Sequence, residues 1–196
     1  MTYLLLHLKN VFYYKMSMKN KPNLVLDLDE TLIHSVVKKN FDEKMNKTKM
    51  NVFNYKYMDD DYIVFERPYL QEFLDYAFEN FDVSIWTAAS KDYMLFILKN
   101  FILTKPNRKL KYILYSYHCD LSYDNKDASK DLSMFWEVWK SNGFDEKNTY
   151  ILDDNIEVFN TQKSKCIRAK PFKFTNKSSI KDNFLKNIIK ELNKKL

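Results

Sequence analysis

Short apolar runs and stretches of helical periodicity take turns along this chain. "NLVLDL" (23–28) is a compact apolar run. As a strand it sends Leu24, Leu26 and Leu28 to one face and Val25, Asp27 and Asp29 to the other. A polar, lysine-rich stretch follows from Val37 to Asn51. "NVFNYKYMDDDYIVFERP" reads as a hairpin: Phe53, Tyr55 and Tyr57 alternate, Asp59, Asp60 and Asp61 turn the chain, and Tyr62 to Phe65 return. Pro68 opens a helix at a favoured first-turn position. Leu70, Phe73, Leu74, Ala77, Phe78 and Phe81 then follow at helical spacing.

"DVSIW" is a second buried strand, and Ser90 is the expected N-cap of a helix running through Phe101. "LKYILYS" reads as a third strand, with a connection over 102–128 around it. A helix near Asp131 to Ser141 stops at Asn142-Gly143. "NTYIL" and "KCIRA" supply a fourth and a fifth strand. The closing helix carries Ile180, Phe184, Leu185, Ile188, Ile189 and Leu192 on one stripe, with Ser179 and Asp182 spaced like a capping box. Strands alternating with helices predict an α/β fold, mainly a parallel sheet with helices on both faces. Ligands in such folds sit beyond the carboxyl ends of the strands. Three strands here end in polar residues: Asp27/Asp29, Thr87 and Asp153/Asp154.

Composition narrows the chemistry. At 196 residues the chain suits one domain, expected over 23–196, with no repeat and no second domain. Residues 1–22 are expected to form a disordered or untranslated leader, since Met16 and Met18 offer alternative starts. Its apolar run, Tyr3 to Leu8, is too short to span a bilayer, so no transmembrane segment is expected. The single glycine, Gly143, excludes a Walker loop and a GxGxxG fingerprint. Cys119 and Cys166 form no CxxC pair and open no Cys-x5-Arg loop. His7, His34 and His118 are scattered, as local hydrogen-bonding residues are. The net charge of +6 admits acidic partners, but a lysine and asparagine skew fits an AT-rich coding sequence equally well.

"DLDETL", "IWTAAS", "SKDLS" and "ILDDN" follow one another in the order of the four motifs of the haloacid dehalogenase superfamily, which the chain resembles. "LVLDLDETLIHS" is similar to the branch of phosphatases acting on the C-terminal domain of RNA polymerase II. "ERPYLQEFL" and the "HC" at 118–119 resemble further segments of that branch. "KNTYILDDNIEVF" followed by "IRAKPF" looks closest to its ubiquitin-like-domain-containing members. No ubiquitin-like domain is expected ahead of the first strand, since only 23 residues precede Leu24. Two departures stand out. Ser116 occupies the place of an arginine that small members carry three positions before the cysteine, and the spacing from Lys130 to Asp153 is longer.

The resemblance implies a Rossmann-like haloacid dehalogenase fold with a β-hairpin flap and no large cap domain. It also implies Mg²⁺ held by the Asp27 carboxylate, the Asp29 carbonyl and the Asp153/Asp154 pair. A phosphomonoester dianion needs a nucleophile, a proton for its leaving group and cationic neutralisation. Asp27 can supply the nucleophile and Asp29 the acid and base, if their environments hold different protonation states. Thr87 and the backbone N–H groups beside it, at Ala88, can hold phosphate, and Lys130 supplies fixed positive charge. Thr31 and His34 are expected to shape the turn leaving the first strand.

The expected activity is that of a Mg²⁺-dependent phosphoserine/phosphothreonine protein phosphatase, with phosphorylated protein, such as the polymerase C-terminal domain, as partner. Its expected setting is nuclear or cytoplasmic. Two further readings stay open. One is a nucleic-acid end phosphatase of the same fold, which positive charge suits. The other is a non-catalytic peptide-binding scaffold resembling a mitochondrial translocase subunit, which the basic, acid-free leader suits.

Overall fold

The computed structural model describes residues 21–196; the expected leader lies, but for its last two residues, outside the described residues. Five strands form a parallel sheet: β1 (Asn23–Leu26), β5 (Asp82–Trp86), β6 (Ile113–Leu114), β7 (Thr149–Asp153) and β8 (Cys166–Arg168). Their spatial order is β6-β5-β1-β7-β8. Alternation along the strands sorts the core into two layers. Leu24, Leu26, Val83, Ile85, Leu152 and Ile167 bury one face. Three helices cover it: α2 (Leu70–Asn80), α3 (Lys91–Ile97) and α6 (Phe184–Leu192). Val25, Trp86, Leu114, Ile151 and Cys166 bury the other, against α4 (Ser116–Lys126), α5 (Ile156–Thr161) and the π-helical turn Met134–Val138. Helices on both faces are as expected.

The hairpin also forms, as β3 (Tyr55–Met58) and β4 (Tyr62–Glu66). It is not alone. The expected turn after the first strand forms at residues 30–32 with Thr31 in it, but His34 lies beyond it in a further strand, β2 (Ile33–Val37), and the small antiparallel sheet runs β2-β4-β3. The lysine-rich stretch beyond it holds a helix, α1 (Glu43–Met50), capped by the Asp42 side chain. Inward Ile63 and Phe65 meet Met50 and Phe174, with the Phe65 and Phe174 rings stacked at 3.7 Å. This aromatic contact fastens the flap to the C-terminal third of the chain.

Other expectations need correction. β1 stops at Leu26, so strand alternation does not extend to Asp29. Pro68 lies outside its helix, because Tyr69 adopts a left-handed backbone (φ 67°) as the N-cap. The third strand shrinks to two residues, and α4 fills much of the supposed 102–128 connection. The helix near 131–141 is only the π-helical turn. Ser179 and Asp182 form no capping box: the Ser179 hydroxyl donates to the Phe174 carbonyl, while Asp182 accepts from Arg67. Ile180 is exposed and lies in a 3₁₀ turn ahead of α6.

Arg67 is fully buried and ties three segments together. It donates to both carboxylate oxygens of Asp182 at 3.0 Å, to the Thr31 carbonyl at 2.9 Å and to the Lys170 carbonyl at 2.9 Å. The guanidinium therefore braces the loop that follows β1 from behind. Arg67→Met leaves those acceptors without donors, and breaking a buried ion pair from one side costs about 3 kcal/mol. Calorimetry is expected to show a thermal midpoint about 10 °C lower. A shift below about 2 °C would show the loop to be held by other contacts.

Candidate active site

The register sets the site. Leu26 pairs with Ile85 on one side and Leu152 on the other, so the chain leaves β1 level with the ends of β5 and β7. Asp27, Thr87 and Asp153 emerge together, all buried. Lys130 arrives from the layer of the π-helical turn. Its ammonium donates to Asp27 Oδ1 at 2.6 Å and to Asp153 Oδ2 at 2.7 Å. The residue holds a left-handed backbone (φ 53°) and its carbonyl accepts from Gln162, so the bridge is built into a strained turn. Burial alone would lower the ammonium's pKa, but Asp27 and Asp153 outweigh it and hold Lys130 above the ordinary lysine value.

Asp29 sits in a different environment. Its Oδ1 accepts from the Tyr93 hydroxyl at 2.7 Å, from α3 on the opposite face of the sheet. Burial raises its carboxyl to about 6, the Tyr93 bond opposes that rise, and Asp27 adds to it. The two aspartates thus have different partners, Asp27 a cation and Asp29 a neutral donor.

Asp27, Asp153 and Asp154 each offer an oxygen, all within 4.8 Å of one another. Burial pushes Asp153 and Asp154 above the usual carboxylate range, and Asp27 pushes both further. Three carboxyl groups share one ammonium, an excess of acidic over basic groups. Hard oxygen donors with that excess fit a divalent cation. Thr31 donates to Asp154 Oδ1 at 3.3 Å, so the motif threonine orients the half-buried member of the trio.

Thr87 Oγ1 accepts the Ala89 N–H at 3.1 Å, which leaves its own proton to donate outward. Ala88 is exposed in the turn between β5 and α3. All seven residues singled out from the sequence lie at this one edge of the sheet. Two neighbours were missed. Tyr93 reads as a core aromatic three residues after the N-cap Ser90, and Arg67 lies within "ERPYLQEFL" with nothing local to mark it as a buried brace.

The profile of the family described as NLI interacting factor-like phosphatase matches residues 22–196. CTD phosphatase-like protein 355R of Invertebrate iridescent virus 6 is 44% identical over 179 residues, covering 89% of this chain and 98% of that protein. Ubiquitin-like domain-containing CTD phosphatase 1 of Xenopus laevis is 24% identical over 188 residues, covering 81% of this chain and 58% of the relative. The solved structure of Fcp1, described as an essential RNA polymerase II CTD phosphatase, shares the fold at a TM-score of 0.60 and 19% identity. That match covers 95% of this chain and 52% of the Fcp1 chain, so this chain spans about half its length. The chain belongs to the NLI interacting factor-like phosphatase family, phosphoric monoester hydrolases of the haloacid dehalogenase fold.

Proposed function

We propose that this chain is a Mg²⁺-dependent phosphoserine/phosphothreonine protein phosphatase that works through an aspartyl-phosphate on Asp27. One observation carries the reading: a buried ammonium bridges Asp27 and Asp153 while Asp29, two residues on, sits on a neutral donor. The Asp27 carboxylate attacks phosphorus in line as the serine or threonine oxygen departs, and Asp29 gives that oxygen its proton. Asp29 then takes a proton from the water that attacks phosphorus, the bond from Asp27 to phosphorus breaks, and phosphate leaves. Lys130 fixes the nucleophile's position and faces the transferring oxygens with positive charge. Thr87 and the Ala88 N–H hold the remaining oxygens. Asp27, Asp153 and Asp154 would hold Mg²⁺, whose charge would offset that of the phosphoryl group.

A protein substrate is supported by relatives described as CTD phosphatases and by the small inserts around the site. Residues between β1 and β5 add a three-stranded sheet and two helices rather than a large cap. A site without a large cap admits an extended peptide such as the polymerase C-terminal domain, in a nuclear or cytoplasmic setting. No helix among the described residues is long and apolar enough to cross a membrane.

Asp29→Asn separates the two steps. A nitrophenolate leaves without help, so this variant is expected to release a burst of about one nitrophenolate per chain and then turn over slowly. A phosphoserine peptide needs the acid in the first step, so it is expected to show no burst and a loss of about 10³-fold. Equal losses on both substrates without a burst would remove Asp29 from the acid–base role. Far faster turnover of small phosphometabolites than of any phosphopeptide would overturn the protein substrate.

A further inference from the structure

The charge of this chain is segregated. Residues 163–196 hold eleven lysines and arginines against two acids, Asp182 and Glu191, a net charge of +9. The whole chain carries +6, so residues 1–162 carry −3. A coding bias toward lysine does not explain why residues 163–196 are poor in acids while residues 27–162 are rich in them. Asp182 is moreover engaged by Arg67 at 3.0 Å.

The basic segment starts at the active site. β8 ends at the same edge of the sheet as Asp153, where the Ala169 N–H donates to the Asp153 carbonyl at 2.8 Å. The Phe172 N–H donates to the carbonyl of Glu30, the neighbour of Asp29, at 2.7 Å, and Lys173 pairs with the Glu30 side chain at 3.2 Å. From there a groove of about 310 Å³ runs between Lys170, Lys173 and Lys181. It meets a second groove, of about 430 Å³, at Asn187, which continues past Lys190 and Lys194 along the outer side of α6.

We propose that this lysine track docks the acidic, multiply phosphorylated flank of a peptide whose scissile phosphate lies at Asp27; the proposal rests on the protein-phosphatase reading above. Lysine offers compact point charges on flexible stems, which suit phosphates at varied positions along an extended peptide. Single-stranded nucleic acid fits less well, because it is held by exposed aromatic rings as well as charge. The rings lining the first groove are already covered: Phe172 is buried and half-buried Phe184 lies under the Arg67 guanidinium at 4.4 Å.

The test compares three phosphoserine peptides: one phosphorylated once, and two with two further phosphoserines on either the N-terminal or the C-terminal side. The track leaves the site in one direction, so one of the longer pair is expected to show a KM about tenfold lower with kcat unchanged. That advantage is expected to vanish near 1 M salt, where screening acts over about 3 Å. In a chain carrying Lys181→Glu, Lys190→Glu and Lys194→Glu it is expected to be lost, while hydrolysis of nitrophenyl phosphate, too small to reach the track, reports an intact fold. Phosphopeptides hydrolysed with no preference among the three, or a preference that survives the triple substitution, would overturn the track alone. No phosphopeptide hydrolysis beside normal nitrophenyl phosphate turnover would overturn the protein-phosphatase reading itself. Oligonucleotide binding to the Asp27→Asn chain that is tighter than peptide binding and lost in the triple variant would overturn the peptide as occupant.

Discussion

Asp27→Asn is expected to abolish Mg²⁺-dependent phosphate release from nitrophenyl phosphate, a fall of at least about 10⁴-fold. The substitution keeps shape and removes the carboxylate of the proposed nucleophile. Its second effect separates chemistry from folding. The new carboxamide still offers an oxygen to Lys130, which also keeps its 2.7 Å contact with Asp153. One of three crowded carboxylates is gone, so the thermal midpoint of the metal-free protein should not fall. The covalent step is read directly. Acid-quenched wild-type chain should carry phosphate that hydroxylamine releases, as an acyl phosphate does, and the variant should carry none. Metal-dependent activity surviving in a folded variant would place the nucleophile elsewhere.

The edge of the sheet was legible because strands that end in chemistry are short and mostly apolar. β1, β5 and β7 have that form, and each delivers a polar side chain at or just past its carboxyl end. Elements whose apolar period is weak were not legible. α1 reads EKMNKTKM and buries only Met50; α4 buries only Cys119 and Ser122. Neither presents the stripe that marks a helix, and tertiary contacts decide both. β2 was hidden for another reason. Its burial is partial along most of its length, and its partner β4 lies some thirty residues away, so no local turn announces the pairing. The same limit hid Tyr93 and Arg67. Each acts through a contact distant in sequence, 64 residues to Asp29 and 115 to Asp182.

Lys130→Met is expected to damage both stability and turnover, and Mg²⁺ is expected to mend only the first. Methionine fills a similar volume but leaves Asp27 and Asp153 facing each other with side chains 7% and 1% exposed. Uncompensated burial of that kind costs about 3–5 kcal/mol. The two carboxylates then relieve the repulsion by binding a proton. Asp153 is already raised by burial and by Asp27 with the lysine in place, and losing the ammonium raises it further. A carboxyl with a folded pKa above its unfolded value binds more protons in the folded state, so stability falls as pH rises through that interval. The metal-free variant should therefore unfold more readily at pH 8 than at pH 5, by an amount that thermal midpoints measure. Mg²⁺ restores positive charge among Asp27, Asp153 and Asp154, and should raise the variant's midpoint more than that of the wild type. Turnover should stay about 10²–10³-fold low, because the ammonium proposed to face the transferring oxygens is still missing. Recovery of full activity with Mg²⁺ would reduce Lys130 to a structural counter-charge, and a midpoint insensitive to both pH and metal would show that the two carboxylates do not share one field.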